Sequence, residues 1–511
     1  MAIEPKFEKI STANRVKLGV TQAVIECKLP ANDEGEITKV LCANAKSYIC
    51  NTEIEGKEVK FNGNVNFQVI YENDAKEVNS LDYTADFKDK FFSDKISGGN
   101  IAIVTSGVVD INTAISGRDV KVVAIVEICV EMIEHLELTA LTTVEGASVY
   151  YNTETVNVST FAGVLSDKFE TNYDIEIKDN VSKVLEVSCS PYIENVTVFE
   201  KYVKVVGGAN VDICYITNGE QQLLRTHQSK VDFAQEVALD NLMENSCVQS
   251  LLDVNNSQIK VTTNIDVDYA VVNLNLPFTY TGYAFNNNDV EIIDDVFSTT
   301  NYLKSKTESF DSLVCGGSLT LENKVTGNVE SDDVFMDEVL GTCCNAVTVA
   351  TTYIQDESLI VEGVASTTVM YLNKETNNTY STMVEMPFSI SEKAKDVDDG
   401  FVPVVNVSLG EVSAKVRRGK ELDVSATLFV YADFYGSKCE AVISELEEVE
   451  EKPESNTVLT IYVVKPNETI WEISKRLNIN PDSLLEQNAN VELPLKGGEK
   501  LIVYKQRETV F

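Results

Sequence analysis

VKFNGNVNFQVIY, residues 59–71, decides the fold class. Val59, Phe61, Gly63, Val65, Phe67, Val69 and Tyr71 fall in one phase, and mostly polar residues fall in the other. Successive side chains of an extended chain point to opposite sides, so this alternation predicts a strand with one buried face. The frame returns as Val203, Val205, Gly207, Ala209, Val211, Ile213 and Tyr215. It returns again as Leu359, Val361, Gly363, Ala365, Thr367, Val369 and Tyr371. Val40, Val184 and Leu340 precede the three copies at one spacing, and Phe87, Phe233 and Phe388 follow them. A second alternating strand recurs over 120–128, 259–267 and 422–430. A period of about 150 residues is too long for a solenoid and predicts independent β domains in tandem. A glycine inside a strand weakens it, so its recurrence predicts a bulge or the close approach of another backbone or ring. The tyrosines that end each copy are expected at the core edge, with hydroxyls reaching water.

The charge is lopsided, 80 acidic against 42 basic residues in 511. A net −38 repels polyanions, so nucleic acid and anionic membrane surfaces are not expected partners. Eleven cysteines are scattered singly except for Cys343-Cys344, with no C-x-x-C pair. That pattern predicts neither a disulfide framework nor a metal site, but free, mostly buried thiols of an intracellular, soluble protein. No apolar stretch reaches the length of a membrane span, about 18 residues, and no signal-peptide core is seen at the N-terminus. Two histidines, His135 and His227, have no metal-ligand partner at helical spacing. No phosphate-binding loop or G-x-S-x-G elbow occurs, and the doublets Asp294-Asp295 and Asp332-Asp333 are ordinary in so acidic a chain. No cofactor is implied, and the expectation is a protein that is not an enzyme.

Near the C-terminus the pattern changes. Residues 462–503 read YVVKPNETIWEISKRLNINPDSLLEQNANVELPLKGGEKLIV. A short strand runs into a Pro466-Asn467-Glu468-Thr469 turn, and Ile470, Ile473, Ser474 and Leu477 then fall on one face of a helix. Asn480-Pro481-Asp482 restarts a second helix carrying Leu484 and Leu485, and Gly497-Gly498 turns the chain into a closing strand. Thr469 with Glu472 is a capping-box pair. Tyr462, Val464, Thr469, Ile470, Trp471, Ile473, Leu484, Asn488, Gly498 and Leu501 occupy the positions of the LysM motif, and this segment resembles the LysM family. The resemblance implies a groove that binds N-acetylglucosamine polymers, walled here by Pro466, Asn467, Glu468, Thr469, Ile470 and Trp471 on one side. Asn488, Leu493, Gly497 and Gly498 wall the other. Two departures from the motif, Asn467-Glu468 for Gly-Asp and Gly497-Gly498 for Pro-Gly, leave the fold intact and alter the glycan surface, since asparagine tolerates a left-handed backbone.

Tandem β repeats followed by one LysM module resemble the SPOCS-domain, SipL-type family of spore morphogenetic proteins. The fold class expected is mainly β: three tandem β-sandwich-like domains followed by a small βααβ LysM domain. The boundaries expected are 1–142, 143–286 and 287–439 for the β domains, 440–456 for an acidic linker and 457–506 for the LysM domain. Seven glutamates against one lysine over 440–456 favour an extended tether. The resemblance implies a non-catalytic scaffold of endospore coat assembly in the mother-cell cytoplasm, at the forespore surface. It would bind a SpoIVA-type coat ATPase mainly through its LysM domain, together with other coat proteins. The alternative is a peptidoglycan-binding protein of the cell wall or cortex. A single LysM module binds glycan weakly, because avidity needs several copies, and this favours the protein partner.

Overall fold

A computed structural model gives the structure of the chain, described over residues 3–31, 35–146, 148–219, 222–266, 269–330, 334–453 and 459–504. The chain is mainly β, and among the described residues α-helices occur only in a small C-terminal module. The first domain comprises β1 (Glu4–Pro30), β2 (Ile37–Glu55), β3 (Glu58–Asn73), β4 (Val78–Phe92), β5 (Ile101–Ser116) and β6 (Asp119–Glu145). The second comprises β7 (Val149–Ile177), β8 (Val181–Phe199), β9 (Tyr202–Thr217), β10 (Leu224–Ala238), β11 (Cys247–Val254), β12 (Lys260–Ile265) and β13 (Ala270–Ser298). The third comprises β14 (Asn301–Glu330), β15 (Glu338–Gln355), β16 (Ser358–Asn373), β17 (Asn378–Lys393), β18 (Val402–Arg417) and β19 (Glu421–Glu451). The module holds β20 (Leu459–Val463), α1 (Ile470–Leu477), α2 (Pro481–Gln487) and β21 (Lys500–Tyr504).

Each domain is an antiparallel sandwich. In the first, β1-β6-β5 faces β2-β3-β4; in the third, β14-β19-β18 accompanies β15-β16-β17. The second repeats this plan with β8-β9-β10 against β7-β13, where β11 and β12 divide the place of a single strand. Val59, Phe61, Val65, Phe67 and Tyr71 of β3 meet Val120, Val122, Val126 and Ile128 of β6 in the first core. Each such side chain gains roughly 1.5–3 kcal/mol on leaving water, so the alternating set fixes the register. The repeated glycines lie at equivalent points of the middle strands. Gly63, Gly207 and Gly363 stand directly opposite Phe87, Phe233 and Phe388. A Cβ there would strike the carbonyl oxygen of Tyr48, Tyr192 or Thr348, each beside a bulge in the neighbouring strand. Tyr71, Tyr215 and Tyr371 are buried rather than at a wet edge, and the Tyr215 hydroxyl donates to Asp179 at 2.9 Å.

The second repeated strand needs one correction. Residues 260–265 form β12, a partner of β13, and Val261 and Ile265 on it are exposed. The counterpart of 120–128 is Ala270, Val272, Leu274, Leu276 and Phe278, all buried. Two alternating strands of one hairpin share a period, and burial alone tells them apart.

β1, β6, β7, β13, β14 and β19 run 27 to 31 residues, several times the usual strand. Register shifts at Lys17/Gly19, Ala284/Phe285 and Cys315/Ser318 divide each long pair. One half builds the sandwich, and the other continues as a two-stranded ribbon. A ribbon alone is marginal in water, and the three ribbons bury their faces on one another. Ile10, Val158, Phe310 and Val442 form one layer, and Leu141, Ile293 and Ile443 another. Between domains, the Thr12 hydroxyl donates to the Ser159 carbonyl and lies 2.9 Å from the Ser312 hydroxyl, all buried. Arg15 pairs with Glu131, donates to Gln249 and lies 5.0 Å from the centre of the Tyr435 ring, touching all three domains. A Cys247–Cys315 disulfide joins β11 to β14 and corrects the expectation that every thiol is free.

The expected domain ends move accordingly. β13 continues to Ser298, past the boundary at 286, and β19 continues to Glu451, past that at 439. The expected tether is therefore mostly strand. Glu440 pairs with Phe310, and Val442, Ile443 and Leu446 are buried. Repulsion among the exposed glutamates does not prevent a strand that buries Val442, Ile443 and Leu446. Residues 454–458, the end of that expected linker and the start of the expected LysM domain, lie outside the described residues, as do 505 and 506 at its end. The three β domains form one contiguous body rather than independent beads.

Candidate functional site in the C-terminal module

β20 and β21 pair antiparallel, and α1 and α2 cover one face of them over a core of Val464, Ile473, Ile479, Leu484, Leu501 and Val503. The α1 start is set by its cap. The Thr469 hydroxyl accepts from the Glu472 amide, and the Glu472 carboxylate accepts from the Thr469 amide. Asn480 caps α2, with Pro481 in the first turn where no amide partner is lost. Asn467 sits at φ 62 and carries the left-handed turn expected of it.

The expected groove residues separate into three groups. Pro466, Asn467, Thr469, Leu493, Gly497 and Gly498 are exposed along the mouth, and Pro466 approaches Gly497 closely enough that a Cβ there would meet it at 3.2 Å. Glu468 is not an exposed groove residue. It is buried and accepts from the Tyr462 hydroxyl at 2.7 Å, the Lys465 amide at 3.0 Å and Arg476. Burial pushes its carboxyl up, but these three partners outweigh burial and leave it below the ordinary range. Asn488 is likewise committed. Its amide donates to the Leu484 and Ile502 carbonyls and accepts from the Ile502 amide at 2.7 Å, tying α2 to β21. Ile470 is half-buried against the module core.

Trp471 faces the β body. Its indole donates to Asp295 at 2.8 Å and its ring meets Phe297 edge-on at 5.0 Å. Lys475 reaches Asp295 at 2.5 Å, and Asn478 donates to the Thr299 carbonyl. The module is thus held by α1 on the end of the second domain's ribbon, and its only tryptophan is spent on that contact.

The opposite face of the module is open. Leu459, Ile461 and Val463 of β20 and Ile502 and Tyr504 of β21 point outward, 47–64 % exposed. Ile461 pairs with Ile502 and Leu459 with Tyr504, so the five side chains form one patch. A small sheet with both faces apolar is unusual, because one face is normally polar toward water. The residues were legible as alternating strand, but with apolar side chains in both phases the sequence did not single out an outer face. The scattered cysteines also hid a junction. Cys42, Cys343 and Cys344, far apart or adjacent in sequence, gather in space.

A family model described as "SipL, SPOCS domain" matches residues 36–116 and 180–274, and a LysM domain model matches 462–503. The chain carries SPOCS segments of the SipL type followed by a LysM domain. These are the marks of a sporulation protein bearing a module of the peptidoglycan-binding type. The SPOCS segments fall in the first two sandwiches, and the third repeats their strand order. No curated protein and no solved structure gives a significant match. Among the described residues, no helix is long and apolar enough to cross a membrane.

Proposed function

We propose that this protein is a non-catalytic scaffold of endospore coat assembly. Three fused β sandwiches carry a LysM module that recruits a SpoIVA-type polymerising ATPase to the forespore surface, in the mother-cell cytoplasm. The observation that carries the reading is the open apolar face of Leu459, Ile461, Val463, Ile502 and Tyr504. Patches of this kind are buried by protein partners, and their aromatic and aliphatic centre supplies most of the binding energy. The groove supports a glycan less well. Glu468 and Asn488, two polar side chains that would hydrogen-bond to sugar hydroxyls, are already committed within the module. Trp471, the natural stacking ring, is committed to Asp295 and Phe297. The acidic bulk repels other polyanions, while the module's own charges balance.

The test is a paired capture. Full-length protein is offered the coat ATPase in one arm and insoluble peptidoglycan in the other. Retention with the ATPase and not with peptidoglycan is expected. Retention on peptidoglycan alone would favour the cortex-associated alternative, for which the LysM match and the open mouth at Pro466, Asn467 and Leu493 are the grounds.

A further inference from the structure

Three thiols meet at a second junction of the three β domains. Cys42 comes from β2, and Cys343 and Cys344 come from β15; their Sγ atoms lie within 4.8 Å of one another, and none is in a disulfide. Adjacent strand residues normally send their side chains to opposite faces. Here the ladder of β15 on β16 skips from Cys343 to Ala346, and Cys344 sits at φ 53. A non-glycine residue held in that conformation marks a local constraint, and it lets both thiols face Cys42.

The second domain reaches the same junction with Glu186, which lies outside the three-thiol cluster. In β8 it follows a bulge as Cys42 does in β2, pairing with Cys214 as Cys42 pairs with Ile70. Glu186 is buried, and its Oε2 has no hydrogen-bond partner among the described residues. Leu41, Ile70, Ile216, Leu340, Met370 and Leu372 keep the site dry.

We propose that Cys42, Cys343 and Cys344 bind one Zn²⁺ ion that ties the first β domain to the third. On binding, each thiol releases its proton to solvent and its sulfur forms a bond to zinc; no electron is transferred. Tetrahedral zinc holds thiolate sulfur at about 2.3 Å, which places sulfurs roughly 3.8 Å apart, within the 4.8 Å that bounds the three sulfurs here.

The test measures metal content in full-length protein purified without chelator. One zinc per chain is expected, retained when the exposed thiols are removed (Cys50→Ser, Cys439→Ser) and reduced at least tenfold by Cys42→Ser or Cys343→Ser. Because replacing a junction cysteine can unfold the chain, a second measurement uses the unaltered protein. Zinc-edge absorption should report three sulfurs in the first shell, and exchange to Co²⁺ should give a thiolate charge-transfer band. Substoichiometric zinc with no cobalt–thiolate band, or a disulfide mapped between Cys42 and Cys343, would overturn the assignment.

Discussion

Gly207 shows how one residue's identity follows from its neighbours. A Cβ at that position would strike the Tyr192 carbonyl, and the Phe233 ring lies 3.4 Å from it. Gly207→Val should cost about 1–3 kcal/mol by overpacking, read as a lower denaturant midpoint; an unchanged midpoint would remove the reason for the repeat. The recurrence of the glycine was legible in the sequence, and so was the need for a close approach. Which carbonyl approached was not, because the bulge that brings it lies on another strand. Glu468 was misread for a related reason: a polar residue in a turn looks exposed until Tyr462, Lys465 and Arg476 are seen to surround it. Asp433 makes a prediction in pH. Burial pushes its carboxyl up to about 7, although the Ser250 amide and Tyr431 hydroxyl bond to it at 2.7 and 2.8 Å. With an unfolded value of about 3.9, the folded state holds the proton more tightly. The stabilisation from that proton is complete below about pH 4, declines as pH rises toward 7 and is gone above. The urea midpoint of the wild type should fall between about pH 4 and 7, and Asp433→Asn should shrink that fall.

Among the elements, the ribbons were the hardest to foresee. Val442, Ile443 and Leu446 do not keep one phase in the sequence, and the glutamates around them read as a repelling tether. Pairing with β14 settles the matter, and the register shift between Lys306 and Thr307 brings Ile443 inside together with Val442 and Leu446. Ile443→Ala should therefore cost about 2–5 kcal/mol by leaving a cavity between ribbons. Chemical denaturation measures this, and a tether would show no change. β12 and β13 were confused because both alternate, and only their different burial separates them. The helices of the module were legible nearly to the residue, because caps, Pro481 and the apolar spacing are local signals. Its outer face was not, because exposure is a property of the assembled sheet.

At the scale of the whole molecule, three repeats fold as one body and the module rests on it through Trp471, Lys475 and Asn478. Tandem order followed from the repeat alone. The fusion of the domains did not, since contacts such as Arg15 with Gln249 and Tyr435 join residues hundreds of positions apart. Removing residues 457–511 should leave the melting of the β body nearly unchanged, because the contact is small beside the ribbon and sandwich cores. Partner recruitment should be lost. The central claim is that the outer sheet face of the module, not its groove, makes the functional contact. The direct measurement is the affinity of full-length protein and of Ile461→Asp for the polymerising coat ATPase, alongside N-acetylglucosamine oligomers. Ile461 is 64 % exposed, so the substitution should leave the fold and melting intact. It should weaken ATPase binding by about 30-fold or more, the loss expected of a buried hot spot, while oligomers bind weakly to both proteins. Tight oligomer binding, with ATPase affinity indifferent to Ile461→Asp, would contradict the account.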